Sequence, residues 1–322
     1  MNNFKKIGLT ALAGSLVATS VYAGEISVAG SASLRMSNHA GTDGGKTMAM
    51  GNQLTFTGSG EMDNGMNVAL SFILDQGDNT VDAEAATTAA GTGGPFDSHS
   101  ITISSDAMGS VVFAGEGASS AQNTIDTTAA GDIWDNTFTG YTAATNASAG
   151  TKTLTWTLPS MVDGLGVVTS YNGSSAGEEG TIGYALTYTG VEGLSVSYGV
   201  GEVGSTTAGT GGREITTYKA SYAFGPVTAA MSMNDYDITG ASNEEQSSYK
   251  ISYTVSDELS VSYGSETHET TGQATDEEFD QISVSYTSGG LTATVSQTNA
   301  DNITGATLTE QSKWNVGLSF AF

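Results

Sequence analysis

The chain has 322 residues, no cysteine and a formal net charge of -25, with 34 Asp and Glu against 9 Lys and Arg. Such an acidic protein would be repelled by the phosphate backbone, which excludes a nucleic-acid-binding protein. Its 13 tyrosines, 10 phenylalanines and many β-branched residues exclude an acidic disordered chain.

The first 23 residues have the pattern of a secretory signal peptide that is cleaved after Ala23. Lys5 and Lys6 form a basic start, and an apolar run of small residues follows. A retained anchor helix is disfavoured because Gly and Ser interrupt this run, and no other run of about 20 apolar residues could form a membrane-spanning helix. The expected mature chain is one domain, 24–322.

From Glu25 to the end of the chain, apolar and polar residues alternate with the two-residue period of β-strands. Most segments have about ten residues, the length at which a tilted strand crosses a bilayer. The sixteen predicted strands are 25–35, 50–61, 66–76, 98–105, 110–117, 151–160, 165–173, 180–189, 194–203, 214–224, 227–236, 246–256, 259–268, 279–288, 291–300 and 311–322.

Short and long connections alternate along these strands. The seven short ones, such as MDNG (62–65) and GVEG (190–193), are rich in the Gly, Asp and Asn of tight turns. The longest connection, 118–150, joins the fifth strand to the sixth. With an even number of strands, all short turns lie at one end of the sheet and all long loops at the other.

The two faces of the strands differ in a way that indicates lipid outside and water inside. In the eighth strand, for example, Ile182, Tyr184, Leu186 and Tyr188 share one face, whereas opposite faces carry mostly small uncharged residues. Because backbone groups in lipid must pair internally, the sheet has to close. The predicted fold is an all-β, 16-stranded antiparallel transmembrane β-barrel.

Aromatic residues near the short turns predict an interfacial girdle: Tyr188, Tyr222, Phe224, Tyr253, Tyr286, Phe320 and Phe322.

The last strand, KWNVGLSFAF (313–322), has a wholly apolar face that ends at Phe322. We expect it to pair with 25–35 and so remove both sheet edges. In this arrangement Trp314 marks one membrane interface, and Lys313 points into the lumen at its outer mouth.

These features resemble the Gram-negative general porins, in particular those of alphaproteobacteria. The resemblance covers the mature chain and rests on the acidic cysteine-free sequence, the strand and turn pattern, the long third loop and the terminal Phe322. It implies a homotrimer in the outer membrane, in contact with lipid and lipopolysaccharide, that forms a water-filled channel for passive diffusion of small hydrophilic solutes and ions. It also implies periplasmic short turns, an inward-folded third loop that makes the constriction, and recognition of Phe320 and Phe322 by the barrel-assembly machinery.

A trimer would need a surface for other copies. The outer wall of the first five strands is less aromatic than the rest, with Gly58, Gly60 and Val111 among its residues. We expect this flat wall to form the contact, with the second long loop, 77–97, latching onto a neighbour.

The resemblance also implies that carboxylates of the third loop face a basic wall across the constriction. The acidic residues in this region are Glu116, Asp126, Asp132 and Asp135. Strand alternation assigns four basic residues to the lumenal wall: Arg35, Lys219, Lys250 and Lys313. Trp134, Phe138 and Tyr141 are candidates to pin the loop to the wall; the alternative is an ordinary exposed acidic loop. The family's dense arginine ladder is missing, since Arg35 and Arg213 are the only arginines. We therefore expect a weakly cation-preferring pore.

The remaining motifs are weaker. Asp235, Asp237 and Thr239 have the spacing of a calcium loop, but Gln246 stands where that loop has a bidentate Glu. The segment predicts an acidic loop or a weak calcium site, and no other cofactor is expected. No nucleophile–base set indicates an enzyme. The alternatives to a diffusion channel are a substrate-selective channel and a surface adhesin barrel. Single-channel conductance would separate the adhesin from a diffusion channel.

Overall fold

The computed structural model describes residues 24–38, 46–75, 96–116, 119–131, 133, 138, 152–173, 180–203, 212–303 and 310–322. These residues form a closed barrel of sixteen strands, in which each strand pairs antiparallel with its neighbours in chain order and β16 returns to β1. The predicted fold class is confirmed. The expected signal peptide and residues 77–95 of the second long loop lie outside the described residues. Within the described residues, no helix is long and apolar enough to span a membrane.

The strands are β1 (Glu25–Asn38), β2 (Lys46–Glu61), β3 (Asn67–Asp75), β4 (Phe96–Ser105), β5 (Gly109–Glu116), β6 (Thr153–Thr157), β7 (Leu165–Asn172), β8 (Thr181–Val191), β9 (Leu194–Val203), β10 (Arg213–Phe224), β11 (Val227–Ile238), β12 (Glu244–Thr254), β13 (Leu259–Thr270), β14 (Glu277–Ser288), β15 (Leu291–Asp301) and β16 (Gln311–Ala321). One turn of 3-10 helix, Gln122–Thr124, lies between β5 and β6.

Tight turns join alternate strands at one end of the barrel. At the β8–β9 and β10–β11 turns, Gly193 and Gly225 have φ angles of 75° and 55°. Glycine adopts this left-handed conformation without a Cβ penalty, so the chain reverses within two residues. The longer connections all lie at the opposite end, as predicted.

Several strands extend further towards the long-loop end than the sequence predicted. β1 continues to Asn38, which pairs with Lys46 at the start of β2. The Asn38 side chain accepts a hydrogen bond from Trp314 N (2.6 Å) and donates one to Ser312 O (3.3 Å). Polar residues therefore continue the sheet where the apolar alternation has ended. β6 is shorter than predicted and stops before Pro159, which has no N–H to donate.

The outer surface carries the large apolar side chains. The aromatic residues of the predicted girdle all lie outside, next to the short turns, with exposed fractions between 40% for Tyr188 and 75% for Phe322. This is the surface that tyrosine and phenylalanine occupy at a membrane interface.

The end of the chain closes the barrel. Gly30 N donates to Phe322 O (2.7 Å), and Phe322 N donates to Gly30 O (2.9 Å). The Phe322 ring lies beside Gly30, where a Cβ would come within 2.4 Å of it. The last residue is thus part of the β1–β16 seam, as predicted.

Candidate functional site

The described part of the longest connection lies inside the barrel, which confirms the predicted inward fold of the third loop. We call residues 119–131, 133 and 138 the inner loop. Its backbone N–H groups donate to serine hydroxyls on the lumenal wall. Ala121 N bonds Ser170 Oγ of β7 at 2.7 Å, and Ala130 N bonds Ser248 Oγ of β12 at 2.8 Å. Between them, Ala129 N bonds Ser232 Oγ of β11 at 3.0 Å. The inner loop therefore runs sideways across the strands.

Glycines in the wall let the inner loop approach closely. A Cβ added at Gly199 of β9 would lie 2.8 Å from Ile125 Cδ1, and one at Gly264 of β13 would lie 2.8 Å from Ala130 Cβ. These two glycines end the two copies of the sequence LSVSYG, at 194–199 and 259–264. The glycine that ends each copy therefore lies where the inner loop approaches the backbone of the wall.

Apolar contacts hold both ends of the inner loop. Ala121 and Ile125 pack with Ala185 of β8. At the other end, Ala130, Ile133 and Phe138 form a buried cluster with Phe279, Ala300 and Ile303. The rings of Phe138 and Phe279 are 5.8 Å apart, so the prediction that Phe138 pins the loop is confirmed. Full burial of a side chain such as Ile133 contributes about 1.5–3 kcal/mol.

Polar side chains of the wall bind the inner loop between these clusters. Gln122 Nε2 donates to Thr217 Oγ1 (2.6 Å), and Asn234 Nδ2 donates to Thr127 O (2.6 Å). Gln122, Thr217 and Asn234 are fully buried. With its backbone and side chains both bonded, the loop is a fixed part of the lumen rather than an exposed acidic loop.

The structure brings together Asp126 and Lys219, which the sequence had assigned to opposite sides of the constriction. Their carboxylate and ammonium groups form an ion pair at 2.6 Å, and Lys219 Nζ also donates to Thr128 O at 3.1 Å. Lys250 Nζ lies 3.5 Å from Ala130 O. Both wall lysines therefore contact the inner loop directly instead of facing it across open water. The Asp126 side chain remains 59% exposed, against 23% for Lys219.

Two basic residues lie elsewhere. Lys313 is only 3% exposed, whereas the sequence predicted that it points into the open mouth. Lys313 lies opposite Thr298 of β15, which is also buried. The next lumenal residue of β15, Ala300, packs against the inner loop. Arg35 lies on the lumenal face of β1 between the small residues Ala49 and Gly317.

The other predicted acidic residues are described only in part. Glu116 ends β5, where its backbone pairs with His99. Asp132 and Asp135 lie outside the described residues, as do Trp134 and Tyr141. Their place in the constriction stays a prediction.

A buried charged cluster that the sequence did not indicate lies on β12–β14. His268 is 3% exposed, with Nε2 3.5 Å from Glu244 Oε2 and Nδ1 3.5 Å from Glu277 Oε2. In the sequence these three residues form no recognised motif. Only the register that places His268 opposite Glu277 brings them together.

The predicted calcium residues do not form a loop. Asp235 and Asp237 lie on β11, which continues to Ile238, and Thr239 follows the strand. An extended strand cannot wrap its side chains around one ion as a calcium loop does. Asp235 lies opposite Glu245 of β12. Among the described residues, no group of three or more acidic, histidine or cysteine side chains is arranged to hold a metal ion.

The lumenal wall away from the inner loop is lined mainly by small hydroxyl side chains. On the described parts of β1 to β6, lumenal positions with hydroxyl groups include Ser31, Ser33, Thr55, Ser71, Ser100 and Thr155. These side chains are exposed or half-buried, whereas the wall serines that bind the inner loop are buried.

A family model described as Gram-negative porin matches residues 8–322. No curated protein matches the sequence. The fold is similar to that of the anion-selective porin from Comamonas acidovorans, with 13% identity, a TM-score of 0.70, and coverage of 93% of this chain and 100% of that chain. It is also similar to a mutant of Rh. blastica porin, with 14% identity, a TM-score of 0.67, and coverage of 92% and 100%. For Salmonella typhi OmpF in complex with daunomycin, the values are 13%, 0.72, 93% and 98%. At these identities the likeness concerns the fold alone.

Proposed function

The chain belongs to the Gram-negative porin family, and we propose that its barrel is an open, weakly cation-preferring channel for passive diffusion of small hydrophilic solutes and ions. Family membership makes the protein an outer-membrane channel. The proposal adds the absence of strong solute specificity and the sign of the charge preference. Transport of this kind needs no catalytic residue and no cofactor.

The observation that carries the charge preference is the contact between the wall lysines and the inner loop. Lys219 and Lys250 are occupied by loop oxygens, and Lys313 is buried. The Asp126 side chain is more exposed to solvent than its partner Lys219. A passing ion therefore meets a partly exposed carboxylate on the loop side and Arg35 on the β1 wall.

The charge of the whole chain supports the same sign. A formal net charge of -25 gives a negative potential that raises the local concentration of cations at the entrance. The similar porin from Comamonas acidovorans is anion-selective, but a likeness of fold carries no selectivity, because selectivity depends on the lumenal side chains.

Reversal potential in planar bilayers tests the proposal. We expect stable conductance steps and, in a KCl gradient, a reversal potential of the sign that K⁺ preference gives. Clear anion preference would contradict the proposed selectivity. Absence of conductance from a correctly folded barrel would favour the adhesin alternative.

We also propose that the protein is a homotrimer whose subunits meet through β1–β6. Ten exposed tyrosines lie on the outer face of β7–β14: Tyr171, Tyr184, Tyr188, Tyr198, Tyr218, Tyr222, Tyr249, Tyr253, Tyr263 and Tyr286. The strands β1–β6, β15 and β16 contain no tyrosine. Tyrosine favours the lipid interface, so the side that lacks tyrosine, β1–β6, is the one suited to contact with other subunits.

The remaining partners follow from the same surfaces. The closing strand with Phe320 and Phe322 is the segment proposed to bind the assembly machinery. The tyrosine-bearing side would contact lipid and lipopolysaccharide. A loosely held Ca²⁺ near Asp235 and Asp237 stays a prediction, and calorimetric titration with Ca²⁺ would test it.

A further inference from the structure

We propose that a recess in the lumen, between the inner loop and β3–β6, is a weak binding subsite for an uncharged ring polyol of monosaccharide size. This inference rests on the proposed channel function and names a solute class for it. The recess has a volume of about 290 Å³, near the lower end of the range for small-molecule sites.

The lining combines hydroxyl and aliphatic side chains. The hydroxyl groups belong to Ser71, Ser98 and Ser100 of the wall and to Ser119 of the inner loop. Ala114 of β5 lies directly beside Ser100, and Val112 is the next lumenal residue of β5. A pyranose ring has the matching surface, since its hydroxyl groups project at the edge and its C–H groups form an apolar face.

Charge selects against ionic solutes in the recess. No carboxylate, lysine or arginine is among its described lining residues, and His99 is the one titratable group. A charged solute that lost water there would find no opposite charge in return, which is costly. A neutral polyol exchanges hydrogen bonds with water for hydrogen bonds with serine hydroxyls at little net cost.

The loop side of the recess is held in place before a solute arrives. Thr155 Oγ1 of β6 donates to Ser119 O at 3.1 Å, and Asn123 N donates to Ser120 Oγ at 3.1 Å. The adjoining Ala121 N bonds the wall at Ser170. Because these contacts are already made, binding does not have to order the loop.

Binding at this subsite should be weak. The described lining contains no Phe, Tyr or Trp ring on which a sugar could stack, and neutral hydrogen bonds exposed to water contribute little each. A few such bonds give dissociation constants in about the millimolar range. Weak binding suits a channel, in which a solute must leave as readily as it enters.

The test uses D-glucose and D-glucuronate as probes of equal size that differ in charge. Saturation-transfer NMR on the full, detergent-refolded protein measures binding without requiring conduction, and glucose-dependent current noise in bilayers measures it during conduction. We expect saturable glucose binding that the triple variant S71A/S98A/S100A weakens about tenfold, with glucuronate bound more weakly than glucose.

The matched control is S27A/S31A/S33A, which removes three lumenal hydroxyls from β1, outside the recess. Heat-modifiable mobility in gel electrophoresis confirms that both variants form the barrel. Three outcomes would overturn the subsite. They are an equal loss of binding in both triple variants, no saturable glucose binding, and glucuronate binding as tight as glucose binding. If the barrel does not conduct, the channel proposal fails, and the NMR measurement still decides the subsite.

Discussion

At the scale of single residues, the charge that a passing ion meets depends on how Asp126 and Lys219 share their contact. The pair is 2.6 Å apart, but Asp126 remains 59% exposed. An ion pair with this exposure contributes only about 0–1 kcal/mol to stability. Its main effect is therefore on the local potential in the lumen and not on the fold.

Replacing this carboxylate should reduce the cation preference. The variant D126N leaves Lys219 without its ionic partner, so the local charge becomes more positive by one. At about 6 Å in water, one charge acts on a passing ion with about 0.7 kcal/mol. Because K⁺ loses this attraction and Cl⁻ loses an equal repulsion, the ratio of K⁺ to Cl⁻ permeability should fall about tenfold, as measured by reversal potential in a KCl gradient.

The control for D126N is D235N, which makes the same charge change on the outer face of β11. We expect the reversal potential of D235N to stay close to that of the wild type. An unchanged reversal potential in D126N, or an equal shift in both variants, would show that the inner loop does not set the selectivity.

Sequence reasoning could place these charges on the lumenal side but could not bring them into contact. Lys219 is assigned to the lumen by a local period of two residues. Its contact with Asp126, 93 positions away, depends on the path of a loop that no periodicity describes. The same applies to His268, whose two carboxylate neighbours come from adjacent strands.

Among the structural elements, the inner loop fits closely against the wall because glycines of the wall leave room for it. At Gly264, the atom that an added Cβ would meet is Ala130 Cβ, which is fixed to the backbone. Ala130 is held in turn by the bond from its N–H to Ser248. The wall can therefore accept no additional methyl group there unless the loop moves.

The variant G264A should loosen the inner loop. Overpacking of this kind typically costs about 1–3 kcal/mol, and here the loop is the element that moves, since β13 is paired on both sides. We expect increased open-channel current noise in single-channel records, with the barrel still folded.

The matched control is G317A, since an added Cβ at Gly317 of β16 has nothing within 4 Å. G199A lies between the two, because the atom it meets is the flexible end of Ile125, Cδ1. We expect the current noise to be highest in G264A, intermediate in G199A and lowest in G317A. Equal noise in all three variants would contradict the docking argument.

The strands themselves were predictable because their signal is local. All sixteen were found from alternation, and the turns at one end were marked by glycine and asparagine. Strand ends were less predictable where polar residues such as Asn38 and Glu244 extend the sheet beyond its apolar part. Apolar alternation carries no information there, although the backbone pairing continues.

For the whole molecule, the barrel closes only when its first strand, β1, pairs with its last strand, β16. The β1–β16 seam includes a reciprocal pair of backbone hydrogen bonds between Gly30 and Phe322. Until these strands pair, both present free sheet edges, which are costly in lipid. The end of the chain therefore affects whether a barrel forms more than how it conducts.

Removing the terminal aromatic ring should lower the yield of barrels without changing their conductance. F322A keeps the chain length and the backbone groups that bond Gly30, whereas deletion of Phe322 removes both bonds and the ring. We expect the amount of heat-modifiable barrel in outer membranes to fall in F322A and to fall further in the deletion variant. The conductance of single assembled channels should be unchanged.

The control is V316A, on the outer face of the same strand but away from the chain end. Its yield should stay close to that of the wild type. Normal yield of the deletion variant together with altered conductance would refute the assembly role of Phe322.

The outer wall of the molecule has two sides, and the absence of cysteine lets them be distinguished chemically. Ile101 of β4 and Ile282 of β14 are both exposed on the single chain, at 45% and 58%. If β1–β6 form the subunit contact, I101C is covered in the trimer, whereas I282C faces lipid. A membrane-soluble maleimide should then label I282C several-fold faster than I101C in native membranes. After heat dissociation to folded monomers, both cysteines should react alike. Equal labelling before dissociation would place the contact elsewhere on the barrel, because a covered thiol cannot react at the rate of one exposed to lipid.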